Sequence, residues 1–186
     1  MDLGQFLSSH NSRNSEENHT KNHGVASVRL LHSLDLAELS ALVKEECGEA
    51  PGIPRPGWVA DAARWLRAVE AEVQHAPVFG IFAPSLIGTC RARYRGAAGR
   101  SVQISYWIAP GFRHQGFGQA GVWAVLRVMA GRGVVHARAY VSPGNTASQR
   151  LLRRLGFRCG ELRIYEEAGA VLPFDLDLGE VRRGIC

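Results

Sequence analysis

The chain has little cysteine, almost no lysine and no long apolar run in its 186 residues. Its cysteines, Cys47, Cys90, Cys159 and Cys186, stand far apart, with no CxxC pair and no Cys/His grouping at zinc-ligand spacing. This argues against a disulfide framework and against a metal site, and reads as reduced thiols in a cytoplasmic protein. No stretch approaches the roughly 20 apolar residues that a membrane-spanning helix needs. Residues 1–24 hold Arg13 and Lys21 but no apolar stretch beyond Phe6-Leu7, which does not fit a secretory leader. Acids are missing too: none stands between Glu72 and Glu161. Few carboxylates are therefore at hand to receive a strongly cationic ligand.

What is present is ordinary for a folded domain. Apolar residues make up 46% and charged residues 21%, enough for one core at this length. Of 22 basic residues only Lys21 and Lys44 are lysine, and arginine supplies the rest of a net charge of +5. The planar arginine fork suits phosphate, although the same composition also fits a solvated surface. Residues 1–24, rich in Ser, Asn, His and Glu, are expected to form a disordered polar tail ahead of a single domain over 25–180.

Periodicity divides the body into short elements. Residues 25–31 read as a strand and 35–46 as a helix, with Asp35 and Glu38 in a D-x-x-E capping pattern and Leu36, Leu39 and Val43 on one face. Pro51 to Gly57 is a loop, and the stripe Trp58, Ala62, Trp65, Leu66, Val69 and Val73 predicts a second helix facing the core. Strands are expected at 78–83, 86–95 and 101–109. The second places Arg91, Arg93 and Arg95 on one face. In the third, Val102, Ile104, Tyr106 and Ile108 face opposite to Gln103, Ser105 and Trp107. A helix at 119–131, a strand at 134–141, a helix at 145–155 with Ala147, Leu151 and Leu155 inward, and strands at 157–166 and 170–178 complete a mixed sheet.

The segment richest in chemistry runs from Ala109 to Gly121, between a strand and a helix. Its glycines allow backbone N–H groups close to a ligand, and a helix N-terminus adds unpaired donors and partial positive charge. With Arg113 beside it, this suits a phosphate or pyrophosphate. Gly116-x-Gly118-x-x-Gly121 also spells a dinucleotide fingerprint, but six residues separate it from the strand and no acid follows about 20 positions on. P-loop, nucleophile-elbow and H-E-x-x-H patterns do not occur.

Arg113-x-x-Gly116-x-Gly118 resembles the Q/R-x-x-G-x-G/A signature of the GNAT N-acetyltransferases. Asn145-x-Ala147-Ser148-x-x-Leu151, followed by Leu155-Gly156-Phe157, is similar to the helix that follows in that superfamily. The strand ending Tyr106-Trp107-Ile108-Ala109-Pro110 is similar to the branch that includes ribosomal-protein alanine N-acetyltransferases.

The resemblance implies an α/β (α+β) fold, with a mixed, mostly antiparallel sheet of about six to seven strands splayed at the centre and about four flanking helices. It implies acetyl-CoA as donor and a primary amine as acceptor, on a protein N-terminus or a small molecule. The pyrophosphate would lie on the amides of His114, Gln115, Gly116, Phe117, Gly118 and Gln119, with Arg113 near the entrance. Ile108 and Ala109 would hold the pantetheine arm through their backbone, and Asn145 would contact it while capping its helix.

The chain departs from the family pattern twice. Gln103 stands where a glutamate base is frequent, and Leu152 where a tyrosine acid is frequent. Ser148, facing the thioester sulfur, and Gln103, polarising a water or binding the acceptor, are the expected catalytic residues; positioning and oxyanion donors would supply much of the rate. A non-catalytic acyl-CoA-binding module is the alternative. Nucleic acid binding has only the arginine excess in its favour, without a stacking platform. No membrane partner is expected, and a homodimer is left open.

Overall fold

The computed structural model describes residues 25–44, 62–165 and 169–179. The tail, Trp58 and the 51–57 loop lie outside the described residues. In chain order the elements are β1 (Ser27–Leu30), α1 (Leu36–Lys44), α2 (Ala62–Ala71), β2 (Val78–Phe82), β3 (Leu86–Arg95), β4 (Ser101–Ile108), α3 (Phe117–Gly131), β5 (His136–Val141), α4 (Thr146–Arg154), β6 (Arg158–Cys159), β7 (Arg163–Tyr165) and β8 (Gly169–Asp177). The strands form one sheet in the order β1-β2-β3-β4-β5-β8-β6, with β7 also on β8. Among the described residues only β4 and β5 run parallel.

Alternation along the strands sorts side chains onto two faces, and each face has its own helices. On one, Phe79, Ile81, Ile104, Ala137, Ala139 and Phe174 bury against Val122, Val125, Leu126 and Met129 of α3 and Leu152 of α4. On the other, Val78, Phe82, Leu86 and Trp107 bury against Leu39 and Leu42 of α1 and Leu66 and Val69 of α2. Trp65 packs against this second cluster, as its stripe requires. Each such Val, Leu, Ile, Phe or Met side chain contributes about 1.5–3 kcal/mol. Gly121 seats α3 on the sheet, because a Cβ there would lie 2.7 Å from Ile81.

Four local expectations change. The 157–166 strand is two strands, β6 and β7. Pro173 of β8 stands opposite Gly160; Gly160 donates its N–H to the Pro173 carbonyl at 2.8 Å, but proline has no N–H to return. The cap of the first helix lies one turn earlier than the D-x-x-E pattern suggests. Asp35 sits in a 3-10 turn ahead of α1, accepting from the His32 N–H at 3.0 Å and from Arg29 Nη1 at 2.9 Å, while Glu38 accepts the Leu86 N–H at 2.7 Å. Within α1 Leu42 joins Leu39 in the core and Leu36 packs half-buried against them, while the side chain of Val43 lies outside the described residues. On α4 Ala147 is exposed, and Leu152 is buried in its place.

Candidate functional site

The sheet opens at its centre. β4 and β5 pair only through Ser101↔His136, Val102↔Ala137 and Gln103↔Arg138. Beyond that rung β4 stays on β3 up to Gly88↔Ile108, and β5 stays on β8 up to Val141↔Leu172. A gap therefore separates residues 104–108 from 139–141. Ala109 donates its N–H to Ile87 of β3 at 2.9 Å, and its carbonyl accepts from Phe112 at 2.9 Å. Backbone groups alternate between strand edges, so those of Ile104, Tyr106 and Ile108 point the other way, into the gap. Ile108, rather than Ala109, is the residue whose backbone faces the opening.

Just past β4 the chain prepares a helix start with unusual backbone. Pro110 to Phe112 form a 3-10 turn, Arg113 is extended, His114 has φ 61° and Gly116, the N-cap of α3, has φ 86°. The last value lies in the left-handed region, where glycine carries no penalty. The first intrahelical bond runs from the Ala120 N–H to the Gly116 carbonyl at 3.0 Å. The N–H groups of Phe117, Gly118 and Gln119 precede it and have no carbonyl within the helix. A Cβ on Gly118 would come within 3.1 Å of Leu151 and 3.4 Å of Ile108, so this glycine lets the helix start sit against both β4 and α4. Arg113 Nε donates to the Ile108 carbonyl at 2.8 Å, and Gln115 Nε2 to the Gly111 carbonyl at 2.8 Å. With no acid in the first turn, the helix dipole presents about half a positive charge beside the gap.

α4 closes the other side of the gap. Asn145 is its N-cap, accepting the Ser148 N–H at 3.1 Å. Gln149, buried, ties the preceding loop by donating Nε2 to the Pro143 carbonyl at 2.7 Å. Tyr106 of β4 donates its hydroxyl to the Ser148 carbonyl in a long 3.5 Å hydrogen bond. Burial pushes this hydroxyl up to about 12, against a smaller lowering by Ser148. Its proton is thus retained throughout the physiological range. Sequence reasoning assigned Tyr106 a face but no role; its partner is 42 residues away, and nothing local signals the contact. Leu152, at the frequent tyrosine position, is fully buried in the core. The nearby thiol of Cys90 is buried and pushed up to about 12 by desolvation, so it is no nucleophile.

The expected residues therefore fall in two places. Ile108, Ala109, Arg113, His114, Gln115, Gly116, Phe117, Gly118 and Gln119 form one continuous turn, and the contact of Gly118 with Leu151 and of Tyr106 with Ser148 brings Asn145 and Ser148 to the same opening. Gln103 lies elsewhere: it stands on the last β4–β5 rung, in a cavity on the opposite face of the sheet. What the first place can do is hold an anion on the helix N-terminus and pair an extended amide-bearing chain along the freed strand edges.

Among solved structures the fold is similar to RimL, a ribosomal L7/L12 alpha-N-protein acetyltransferase in complex with coenzyme A, with a TM-score of 0.74 and 17% identity over 82% of this chain and 94% of that one. It is similar to Mycobacterium smegmatis RimJ in complex with CoA-disulfide, with a TM-score of 0.74 and 22% identity over 86% and 85%. The ribosomal-protein-S5-alanine acetyltransferase of Vibrio fischeri gives 0.71 and 16% over 82% and 92%. No curated protein matches the sequence. The sequence profile of the acetyltransferase (GNAT) domain matches residues 27–158, well over half of the chain, and the chain belongs to that family.

Proposed function

We propose that this chain transfers an acetyl group from acetyl-CoA to a primary amine, on a peptide N-terminus or a small molecule, by direct attack of the amine on the thioester. One observation carries the reading: the parted strands β4 and β5 open beside the unpaired N–H groups of α3. The coenzyme's chemical contribution is an activated acetyl group on a good leaving thiolate. The N–H groups of residues 114–119 would receive its pyrophosphate, with the Arg113 guanidinium alongside. The freed edge of Ile108 would pair with its pantetheine amides, and Asn145 would flank the arm. The turn that presents these groups depends on close packing: a side chain at Gly118 would push the helix start away from Ile108 and Leu151.

Transfer needs a base for the attacking amine and a proton for the departing thiolate. Two hydroxyls, Ser148 and Tyr106, stand at the α4 side of the gap. Ser148 is the proposed proton donor, and Tyr106, protonated at neutral pH and bonded to the Ser148 carbonyl, is the proposed positioning residue for it. Gln103 is an amide and takes no proton, so its proposed part is to hold the acceptor or the water that carries the amine's proton away to solvent, from which Ser148 regains the proton it gives the thiolate. RimL and the Vibrio fischeri enzyme are ribosomal-protein acetyltransferases, and RimL was solved with coenzyme A and RimJ with CoA-disulfide, which supports a protein N-terminus as acceptor and a cytoplasmic setting.

A second reading, acyl-CoA binding without transfer, draws on Leu152 being buried where a tyrosine is frequent in the family. Thiol release from acetyl-CoA over a panel of amines separates the two. Release with any amine supports transfer; binding without release across peptides, polyamines and aminoglycosides supports the binding module.

A further inference from the structure

The cavity holding Gln103 is distinct from the opening at α3. It measures about 200 Å³ and is lined by Arg95, Ser101, Gln103, His136, Arg138 and Tyr140. It lies on the sheet face that α1 and α2 cover only at the Trp107 end, so its end of the face is open. The bases in and around it outnumber the acids. Asp175 of β8 accepts from Arg138 Nε at 2.6 Å and lies 3.3 Å from His136 Nε2, so one carboxylate serves two bases. Asp177, on the His136 rung, accepts the Gly179 N–H at 2.7 Å. Arg91, further up β3, pairs with Glu72. Arg93 and Arg95, exposed on the rungs of Gln103 and Ser101, have no ion-pair partner among the described residues. The acid-free stretch from 73 to 160 leaves none on β3, β4 or β5.

We propose that this cavity reads a carboxylate on the acceptor, so that the preferred acceptor is a peptide N-terminus with Asp or Glu within its first few residues. The inference rests on the acetyl-transfer reading and names its acceptor class. Gln103 marks the rung where β4 and β5 part, and an amine reaching the gap from this face passes Ser105. Arg95 pairs with Ser101, four residues back along β4, or about 13 Å at strand rise. An extended peptide spans that distance in about four residues. The guanidinium fork of Arg95 suits a carboxylate arriving there, and the neighbouring Arg93 favours a second.

The test is acetyl transfer to synthetic peptides of equal length and common first residue, carrying Ala, Asp or Lys at positions three to five, read by thiol release. The expected kcat/KM order is Asp over Ala over Lys, with Asp at least tenfold above Lys and the preference fading in high salt. The doubly exposed change Arg93→Glu with Arg95→Glu should cut the Asp-to-Lys ratio at least tenfold. Equal turnover of the three peptides, a preference for Lys, or a ratio that the substitutions leave in place overturns the acceptor assignment while acetyl transfer stands. No thiol release from any peptide or other amine overturns both.

Discussion

The two faces of β4 are finished in different ways. On one, Ile104, Tyr106 and Ile108 meet α3 and α4, and the strand ends in a turn where backbone geometry is specified residue by residue. On the other, Gln103 and Ser105 look onto an open surface edged by arginines with long, exposed side chains. The first face is built from backbone donors and glycines and suits a ligand that never changes. The second is built from exposed arginines on a paired strand and suits a partner class defined by charge. A strand paired on both sides cannot serve both, because its edges are taken; parting from β5 after Gln103 frees the edge for one ligand while leaving the opposite face for another.

Gly118→Val should break the comparison most severely. The added side chain has Leu151 and Ile108 in its way and must move the helix start, at a stability cost of about 1–3 kcal/mol. Acetyl-CoA affinity should fall by about 100-fold by calorimetry with circular dichroism unchanged, whereas Gly118→Ala, whose Cβ meets the flexible end of Leu151 at 3.1 Å and Ile108 at an ordinary 3.4 Å, should lose far less. Equal losses for the two would mean that the tight packing is not what shapes the turn.

Ser148→Ala comes next, with kcat lower by about 100-fold and KM for acetyl-CoA little changed. Tyr106→Phe should lower kcat by a smaller factor, because it removes the hydroxyl that bonds the Ser148 carbonyl and leaves the serine in place. The reverse order would exchange the two roles. Arg113→Glu, expected to weaken acetyl-CoA by about tenfold, replaces a guanidinium at the helix start with a carboxylate and removes its bond to Ile108. An unchanged dissociation constant would take the pyrophosphate away from this turn.

Asp35→Asn should leave activity unchanged and affect stability alone. Burial opposes the charge of Asp35, but the Arg29 hydrogen bond and ion pair and the His32 N–H outweigh it, holding its carboxyl below the ordinary range. A lowered folded-state value means the stabilisation is present above about 4 and is lost as pH falls through the folded value. The substitution should cost about 1–3 kcal/mol at neutral pH in chemical unfolding and flatten the acid limb of the profile. A profile with the same acid limb as the wild type would remove Asp35 from the account.

How legible these features were depended on the range of the forces behind them. The strand 86–95 and the inward stripe Val122, Val125, Leu126 and Met129 read directly from the chain, because alternation and helical period are local. The α3 turn was legible through its glycines and Arg113. The β6–β7 break was not, since it depends on Pro173 arriving opposite Gly160 from another strand. Tyr106 reads as one more inward residue until α4 folds back over it, and the arginines of β3 read as a solvated face until the fold shows that Glu72 takes Arg91 and that Asp175 is taken by Arg138 and His136 of β5. Ala147 is expected inward from its spacing to Leu151 and Leu155, but it is exposed, and Leu152, one residue past Leu151, takes the buried position.

The measurement that bears most directly on the central claim is calorimetric titration of the full chain with acetyl-CoA, with NADPH as control and Gly118→Val alongside. Saturable binding to the wild type, strongly weakened in the variant and without an NADPH signal, is the expected result. A folded wild-type chain that leaves acetyl-CoA unbound, or a variant that binds it equally well, would contradict the assignment of the α3 turn and the β4–β5 gap as the coenzyme site.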